Sequence, residues 1–338
     1  MTIRVVCPLC AGPAVLRYSA LPGYVDGLMF HVYACSGCHV SFVNPRETYP
    51  GLYDRIYTLS DGIPGYHRYQ RYAGLSARSS NPLETLSSAE DVYWGVARAL
   101  DDLPTGSSRI LEIGSGLGYL THALGRRGYS ALGLDISGAA VDAARARFGD
   151  RFVHADLAEY SASHSSTFDA VVACELIEHL EDPVSFVERA FSLVRPGGQL
   201  VLTTPNRSLF DDSILWETEL PPVHFWWFSE RSLEVLGSHV GGETSFIDFE
   251  PYQNEHPVYL ADLPANIPTR HALLSGDLAL TSLARTIRRR ARIGDAVPWI
   301  KANDWMQRLR GKRRLSGKRR TILCAVIRRP LPMGDGTR

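Results

Sequence analysis

The run Ile110-Leu111-Glu112-Ile113-Gly114-Ser115-Gly116-Leu117-Gly118 narrows the possible folds of this chain more than any other stretch. A short apolar segment that ends in alternating glycines predicts a buried strand, a tight turn and then a helix from about Tyr119. Glycines at 114, 116 and 118 let the backbone turn sharply and leave main-chain N–H groups open to a ligand, because no Cβ stands in the way. The dinucleotide pattern Gly-x-Gly-x-x-Gly is not met. Its third glycine falls one residue early here, and Tyr119 occupies the place of the missing one, which argues against a nicotinamide cofactor.

The segments that follow continue the strand and helix alternation. A second predicted strand, residues 130–135, ends in Asp135, at the ~20-residue spacing where an α/β nucleotide site places a carboxylate for ribose hydroxyls. Residues 151–154 form a third, leading to Asp156-Leu157. Residues 168–173 form a fourth, opening into Cys174-Glu175-Leu176-Ile177-Glu178-His179-Leu180. Leu193-Val194-Arg195-Pro196-Gly197-Gly198 reads as closing a helix and launching a fifth strand over 199–203. Ser137, Asp182 before Pro183, and Ser229 are predicted N-caps. Helical spacing of Val92, Val96 and Leu100 predicts one helix over 87–100, and further strands are expected over 243–252 and 320–327.

In this order the five matched elements resemble those of the class I S-adenosylmethionine (SAM) methyltransferases, within the methyltransferase-23 and ubiquinone-pathway O-methyltransferase group, over residues 103–252. The resemblance implies an α/β fold: a Rossmann-like seven-stranded core whose last strand is antiparallel, with an N-terminal zinc ribbon and a helical insertion between strands six and seven. It implies SAM as cofactor, with its methionine end on Gly114, Ser115, Gly116 and Gly118 above Glu112. Its ribose would lie at Asp135 and Ile136, its adenine at Asp156 and Leu157, and Cys174 would line the site. Cys174 and Cys324, read alone, are small buried apolar residues.

Methyl transfer is an in-line displacement, so the enzyme must align an acceptor and remove its proton or polarise its oxygen. Residues at the carboxyl ends of strands four and five are placed for this. On a helical turn Glu175, Glu178 and His179 would share one face. A second histidine, His224, lies in Pro221-Pro222-Val223-His224-Phe225-Trp226-Trp227. The Glu-x-x-Glu-His pattern resembles ubiquinone-pathway O-methyltransferases and small-RNA 3′-end 2′-O-methyltransferases, which implies Mg²⁺ or Mn²⁺ held by Glu175, Glu178, His179 and His224. Hard carboxylate ligands suit such ions. Two other readings stand beside it: His179 or His224 is the general base with Glu178 orienting it, or Glu175 or Glu178 caps the next helix. The tryptophan pair either lines an apolar or sugar-stacking pocket or packs in the core.

Cys7-Pro8-Leu9-Cys10 and Cys35-Ser36-Gly37-Cys38 are two C-x-x-C knuckles with the spacing of a four-thiolate structural zinc site. Two such pairs without an adjacent βαβ unit argue against a redox motif, and His31 and His39 are expected on the surface. The tyrosines at 49, 53, 57, 66, 69 and 72 pack, or form a lid over substrate.

The net charge of zero over 338 residues hides a cationic block: residues 285–329 hold thirteen arginines and three lysines against Asp295 and Asp304. Interleaved apolar residues predict basic amphipathic helices, read as a solvated face or as contact with an anionic membrane surface or a phosphate-bearing substrate. No apolar run reaches the ~18 residues of a membrane span, and Met1-Thr2-Ile3-Arg4 lacks a signal-peptide layout, so a cytoplasmic, optionally peripheral membrane, protein is expected. The expected organisation is a zinc ribbon (1–46), a connector with a helical segment over the active site (47–102), the SAM-binding core (103–252), a basic helical insertion (253–319), and the last core strand with a tail (320–338). The expected reaction is O-methylation of a small molecule, sugar or lipid-linked intermediate, with a small-molecule or glycan acceptor as partner. RNA methylation, sugar C-methylation and a non-catalytic SAM-binding adaptor are the alternatives, nucleic acid being the less favoured partner.

Overall fold

The structure, a computed structural model, describes residues 4–59, 63, 66–209, 220–257, 272–282, 315, 317–318 and 320–332. In chain order the elements begin with β1 (Arg4–Val6), β2 (Pro13–Pro22), β3 (Met29–Cys35), β4 (Ser41–Asn44), α1 (Leu52–Thr58), α2 (His67–Arg78), α3 (Pro82–Ala89) and α4 (Asp91–Leu100). Next come β5 (Arg109–Ile113), α5 (Tyr119–Arg127), β6 (Ser130–Asp135), α6 (Gly138–Phe148), β7 (Phe152–His154), α7 (Leu157–Ser163) and β8 (Phe168–Cys174). The last are α8 (Pro183–Leu193), β9 (Val194–Pro205), β10 (Trp226–Trp227), α9 (Glu230–His239), β11 (Glu243–Phe246), α10 (Glu250–Glu255) and β12 (Ile322–Arg328).

The chain divides into two compact units. The first comprises Met1–Arg71, Asn206–Trp227 and Asp248–Thr321 and carries an antiparallel sheet in the order β1-β2-β3-β4-β10. Trp226 and Trp227 pair with Phe42 and Ser41, and both indoles are 1% exposed. Trp226 lies 5.7 Å from the Phe42 ring and 4.8 Å beneath the Arg46 guanidinium, so the pair is core packing. Tyrosines of the connector act as tethers here: the Tyr53 hydroxyl donates to Val223 O at 3.1 Å and that of Tyr49 to Gly276 O at 3.1 Å.

Two expectations are corrected where the chain re-enters this unit after β11 (Glu243–Phe246). The strand expected over 243–252 stops at Phe246, and α10 follows, because Pro251 fits the first turn of a helix, where no N–H is needed. Arg320, counted in the cationic block, is buried: it stacks 4.6 Å over Tyr252 and donates to His256 O at 3.1 Å. Lys318 is exposed and pairs with Asp248 at 3.4 Å. Most of the block, residues 285–314, lies outside the described residues.

The second unit comprises Tyr72–Pro205, Phe228–Ile247 and Ile322–Arg338. Its seven-stranded sheet runs β11-β12-β9-β8-β5-β6-β7, parallel from β9 to β7, with β12 antiparallel to both β9 and β11. Ala170–Ala173 of β8 are all buried, as a strand covered on both faces requires. The predicted caps form. Ser137 accepts from Ala140 N, Asp182 accepts from Val184 N and Ser185 N ahead of Pro183, and Ser229 exchanges hydrogen bonds with Ser232 in a capping box. From β5 the chain winds through β6 and β7 to one side and returns through β8 and β9 to the other. The switch point, where α/β sheets bind ligands, therefore lies between the carboxyl ends of β5 and β8.

Here too the local reading needs correction. The single helix expected over 87–100 is two, α3 and α4, broken at Glu90, which is extended (φ −147°, ψ 142°) and accepts the Tyr72 hydroxyl. Pro196-Gly197-Gly198 does not precede the fifth strand but lies inside β9, which begins directly at the end of α8. It forms a bulge in which Phe168 faces Val194 while Ala170 faces Gln199. A Cβ on Gly198 would stand 2.6 Å from Asp169 O, so the bulge depends on that glycine. Arg329, at the end of the cationic count, donates to Val194 O at 2.6 Å and belongs to this sheet's packing.

Candidate cofactor and acceptor site

The turn after β5 passes through left-handed backbone at all three glycines, with φ of 74°, 48° and 76° at 114, 116 and 118. A Cβ at Gly118 would meet the Phe152 ring at 2.5 Å and Ala144 at 2.7 Å, so the third glycine serves helix packing as well as the turn. Gly114 N and Ser115 N both donate to Leu134 O, at 2.8 and 3.1 Å. Asp135 then clamps the turn: its Oδ2 accepts from Gly116 N at 2.7 Å and its Oδ1 from Ser137 N at 2.8 Å. Each carboxylate oxygen has a second lone pair, so the side chain keeps accepting capacity for a ligand. Ile136, next to it, is 71% exposed, an apolar surface at the mouth of the crevice.

Glu112 lies beneath the turn, fully enclosed, and accepts the Thr121 hydroxyl. Burial pushes its carboxyl up to about 8, so it is largely neutral at pH 7. Asp156 is exposed and caps α7 by accepting from Ala158 N at 2.7 Å, a role its position in the motif did not announce. Leu157 and Cys174 are half-buried, and burial raises the Cys174 thiol well above its ordinary value.

The acidic segment after β8 folds differently from its expected helical turn. Glu175 is left-handed (φ 48°), and only Ile177–His179 form a single 3-10 turn, so Glu175 shares no helical face with Glu178 and His179. Glu175 N donates to both the carbonyl and the hydroxyl of Thr203, each at 3.1 Å. Glu178 is 1% exposed; its Oε2 accepts from the Thr204 hydroxyl at 2.9 Å, and its Oε1 lies 3.9 Å from His179 Nε2. Neither glutamate caps the next helix, because Asp182 does. Thr203 and Thr204 are fully buried, and the only sequence signal for them was their place at the end of β9, next to the switch point. His224 lies in the first unit, buried, its N–H donating to Leu220 O at 3.3 Å.

In the first unit the four knuckle cysteines converge, with all four sulfurs within 4.8 Å of one another. Cys7 Sγ stands 3.7 Å from Cys38 Sγ and Cys10 Sγ 3.5 Å from Cys35 Sγ. Gly37 N donates to Cys35 Sγ at 3.3 Å, and each knuckle closes through a left-handed residue, Ala11 or His39. Contact between the two sulfurs lowers the Cys7 thiol below its ordinary value and raises that of Cys38. His31 and His39 are exposed, as expected.

The match with known proteins runs from the end of α3 to the start of β11. Residues 89–243 match the methyltransferase domain family. The ubiquinone biosynthesis O-methyltransferase of Aromatoleum aromaticum is 37% identical over 105 residues, 30% of this chain and 45% of that protein. The enzyme of the same name from Psychrobacter arcticus is 32% identical over 139 residues, 38% of this chain and 54% of that protein. The chain thus spans about half the length of the curated relatives it matches. A solved SAM-dependent methyltransferase from Archaeoglobus fulgidus shares 17% identity at a TM-score of 0.43, covering 70% of this chain and 93% of its own. The similarity of residues 89–243 to the methyltransferase domain family and to these O-methyltransferases supports a class I SAM-dependent methyltransferase domain within the chain. Among the described residues no helix is long and apolar enough to cross a membrane.

Proposed function

We propose that this chain transfers the methyl group of SAM to an oxygen of a small-molecule acceptor. The observation that carries the reading is the pair of adjacent strand ends: a glycine turn clamped by Asp135 after β5, and a buried carboxylate beside an imidazole, Glu178 and His179, after β8. Bound SAM supplies a methyl carbon activated by its sulfonium. The chain's own part is to hold the cofactor on Gly114, Ser115, Gly116 and Gly118, to take its ribose at Asp135 and Ile136 and its base at Asp156 and Leu157, with Cys174 lining the site. At the acceptor, His179 takes the hydroxyl proton while the new O–C bond forms and the C–S electron pair returns to sulfur. Glu178, held by Thr204, steadies the imidazolium that results. The O-methyltransferase names of the relatives support oxygen as the atom methylated.

Within the second unit Glu178 and His179 offer one carboxylate and one imidazole, whereas Mg²⁺ favours about six oxygen-rich ligands; the general-base reading is therefore preferred to the Mg²⁺ or Mn²⁺ one. For the cysteine cluster we propose structural zinc. A tetrahedron of ~2.3 Å Zn–S bonds has edges of about 3.8 Å, close to the observed 3.5 and 3.7 Å.

The test is to incubate the purified chain with methyl-labelled SAM and fractionated cell extract. Label in the small-molecule or lipid fraction, stable as an ether, is the expected result. Label in RNA would overturn the acceptor class, and absence of both label and SAM binding would overturn the activity.

A further inference from the structure

We infer that Tyr93 and Tyr119, with Ser76, are positioning residues that set the glycine turn for the cofactor, so that helices outside the strand-turn-helix motif govern SAM affinity. The inference rests on the proposed SAM site.

Tyr119 is the first residue of α5, immediately after Gly118. No side-chain hydrogen bond caps that helix, since its N-cap position is a glycine. The anchors come from elsewhere in the second unit. The Tyr119 hydroxyl lies 2.7 Å from that of Tyr93 on α4, and its carbonyl accepts from the buried Ser76 hydroxyl on α2 at 3.0 Å. Its ring meets Tyr93 edge-on at 5.7 Å and Tyr72 at 6.0 Å. Tyr72 and Tyr93 contact each other at 5.6 Å, and the Tyr72 hydroxyl donates to Glu90 at the break between α3 and α4. Two rings and a serine thus grip the residue that follows the turn, and Glu90 in turn holds one of those rings. A shift of Tyr119 moves Gly118 directly. Through Gly118 N, bonded to Ser115 O at 2.8 Å, it also moves the N–H groups that face the ligand.

The test is calorimetric binding of SAM and of S-adenosylhomocysteine to wild type, Tyr93→Phe, Tyr119→Phe, the double variant, and Ser76→Ala. Each keeps its packing volume to within a hydroxyl. The comparator is Tyr129→Phe, which removes a buried hydroxyl bonded to Leu100 O at 2.9 Å, away from the turn. The expected result is a three- to tenfold loss of affinity in each single variant. The double variant should be no weaker than the singles, since Tyr93 and Tyr119 share one hydrogen bond. Tyr129→Phe should lower the melting temperature and leave affinity alone. Wild-type affinity in the Tyr93, Tyr119 and Ser76 variants, or equal losses in Tyr129→Phe, would overturn this inference while leaving the SAM site standing. A wild-type chain that binds neither ligand would overturn the cofactor reading first, and this one with it.

Discussion

Asp135 joins two backbone segments and, in the proposed complex, a ribose, so its removal should cost more than one contact. Hydrogen bonds to a charged group are worth about 1.5–3 kcal/mol each. Asp135→Ala should therefore weaken SAM binding at least tenfold in calorimetry, and an unchanged affinity would remove the cofactor from this strand end. Glu112 poses a different question. Its carboxyl sits at about 8 in the folded chain against an ordinary 4.5, so between these values the folded state holds a proton that the unfolded state has released. Stability must then fall as pH rises through that window and level off above it. Glu112→Gln, neutral throughout, should lose this slope. Melting temperatures measured from pH 5 to 8 should drop more steeply for wild type than for the variant, and parallel curves would contradict the buried neutral acid. Both acids stood out in the sequence as members of a spaced motif. What spacing did not disclose is that Asp135 clamps the turn and that Asp156 caps a helix, since both depend on which N–H groups the folded backbone leaves nearby.

At the scale of elements, β9 does more than complete the sheet. Its carboxyl end carries Thr203 and Thr204, which hold the backbone of Glu175 and the side chain of Glu178. Thr204→Val preserves shape and deletes the hydroxyl. Methyl transfer to the fraction labelled by wild type should slow about tenfold, a 1–1.5 kcal/mol effect of the size expected for one such bond. SAM affinity should hold, and Thr204→Ser should restore the rate. A rate that Thr204→Val leaves untouched would release Glu178 from the proposed role. Long periodic or capped elements were legible in advance: α6, α8 and α9 start at their predicted caps. Breaks and bulges were not. Nothing in the spacing of Val92, Val96 and Leu100 announces that Glu90 is extended, because the break answers to a hydroxyl on α2. Nor does Pro196-Gly197-Gly198, an ordinary helix stop by composition, announce that it lies within a strand paired to β8.

For the whole molecule, the cysteine cluster makes the broadest prediction. Purified protein should carry one zinc per chain by elemental analysis. Cys38→Ser should lose it, together with the thermal stability of the first unit, because metal binding and folding are linked. A metal-free chain whose four thiols react freely, with no loss of stability, would refute the site. Two C-x-x-C pairs foretold this cluster because four sulfurs at that spacing have few other uses. The strand-glycine-turn-helix run with its downstream acids likewise foretold, from the sequence alone, the succession of strands and helices that follows the turn. Both are local patterns, and local backbone geometry is written in nearby residues. Tertiary structure alone decided which distant side chains complete those patterns: the threonines behind Glu178, the tyrosines around the glycine turn, and the burial that keeps Glu112 neutral. These contacts join residues from separate strands and helices, and the packing of the sheet, not distance along the chain, sets which of them meet.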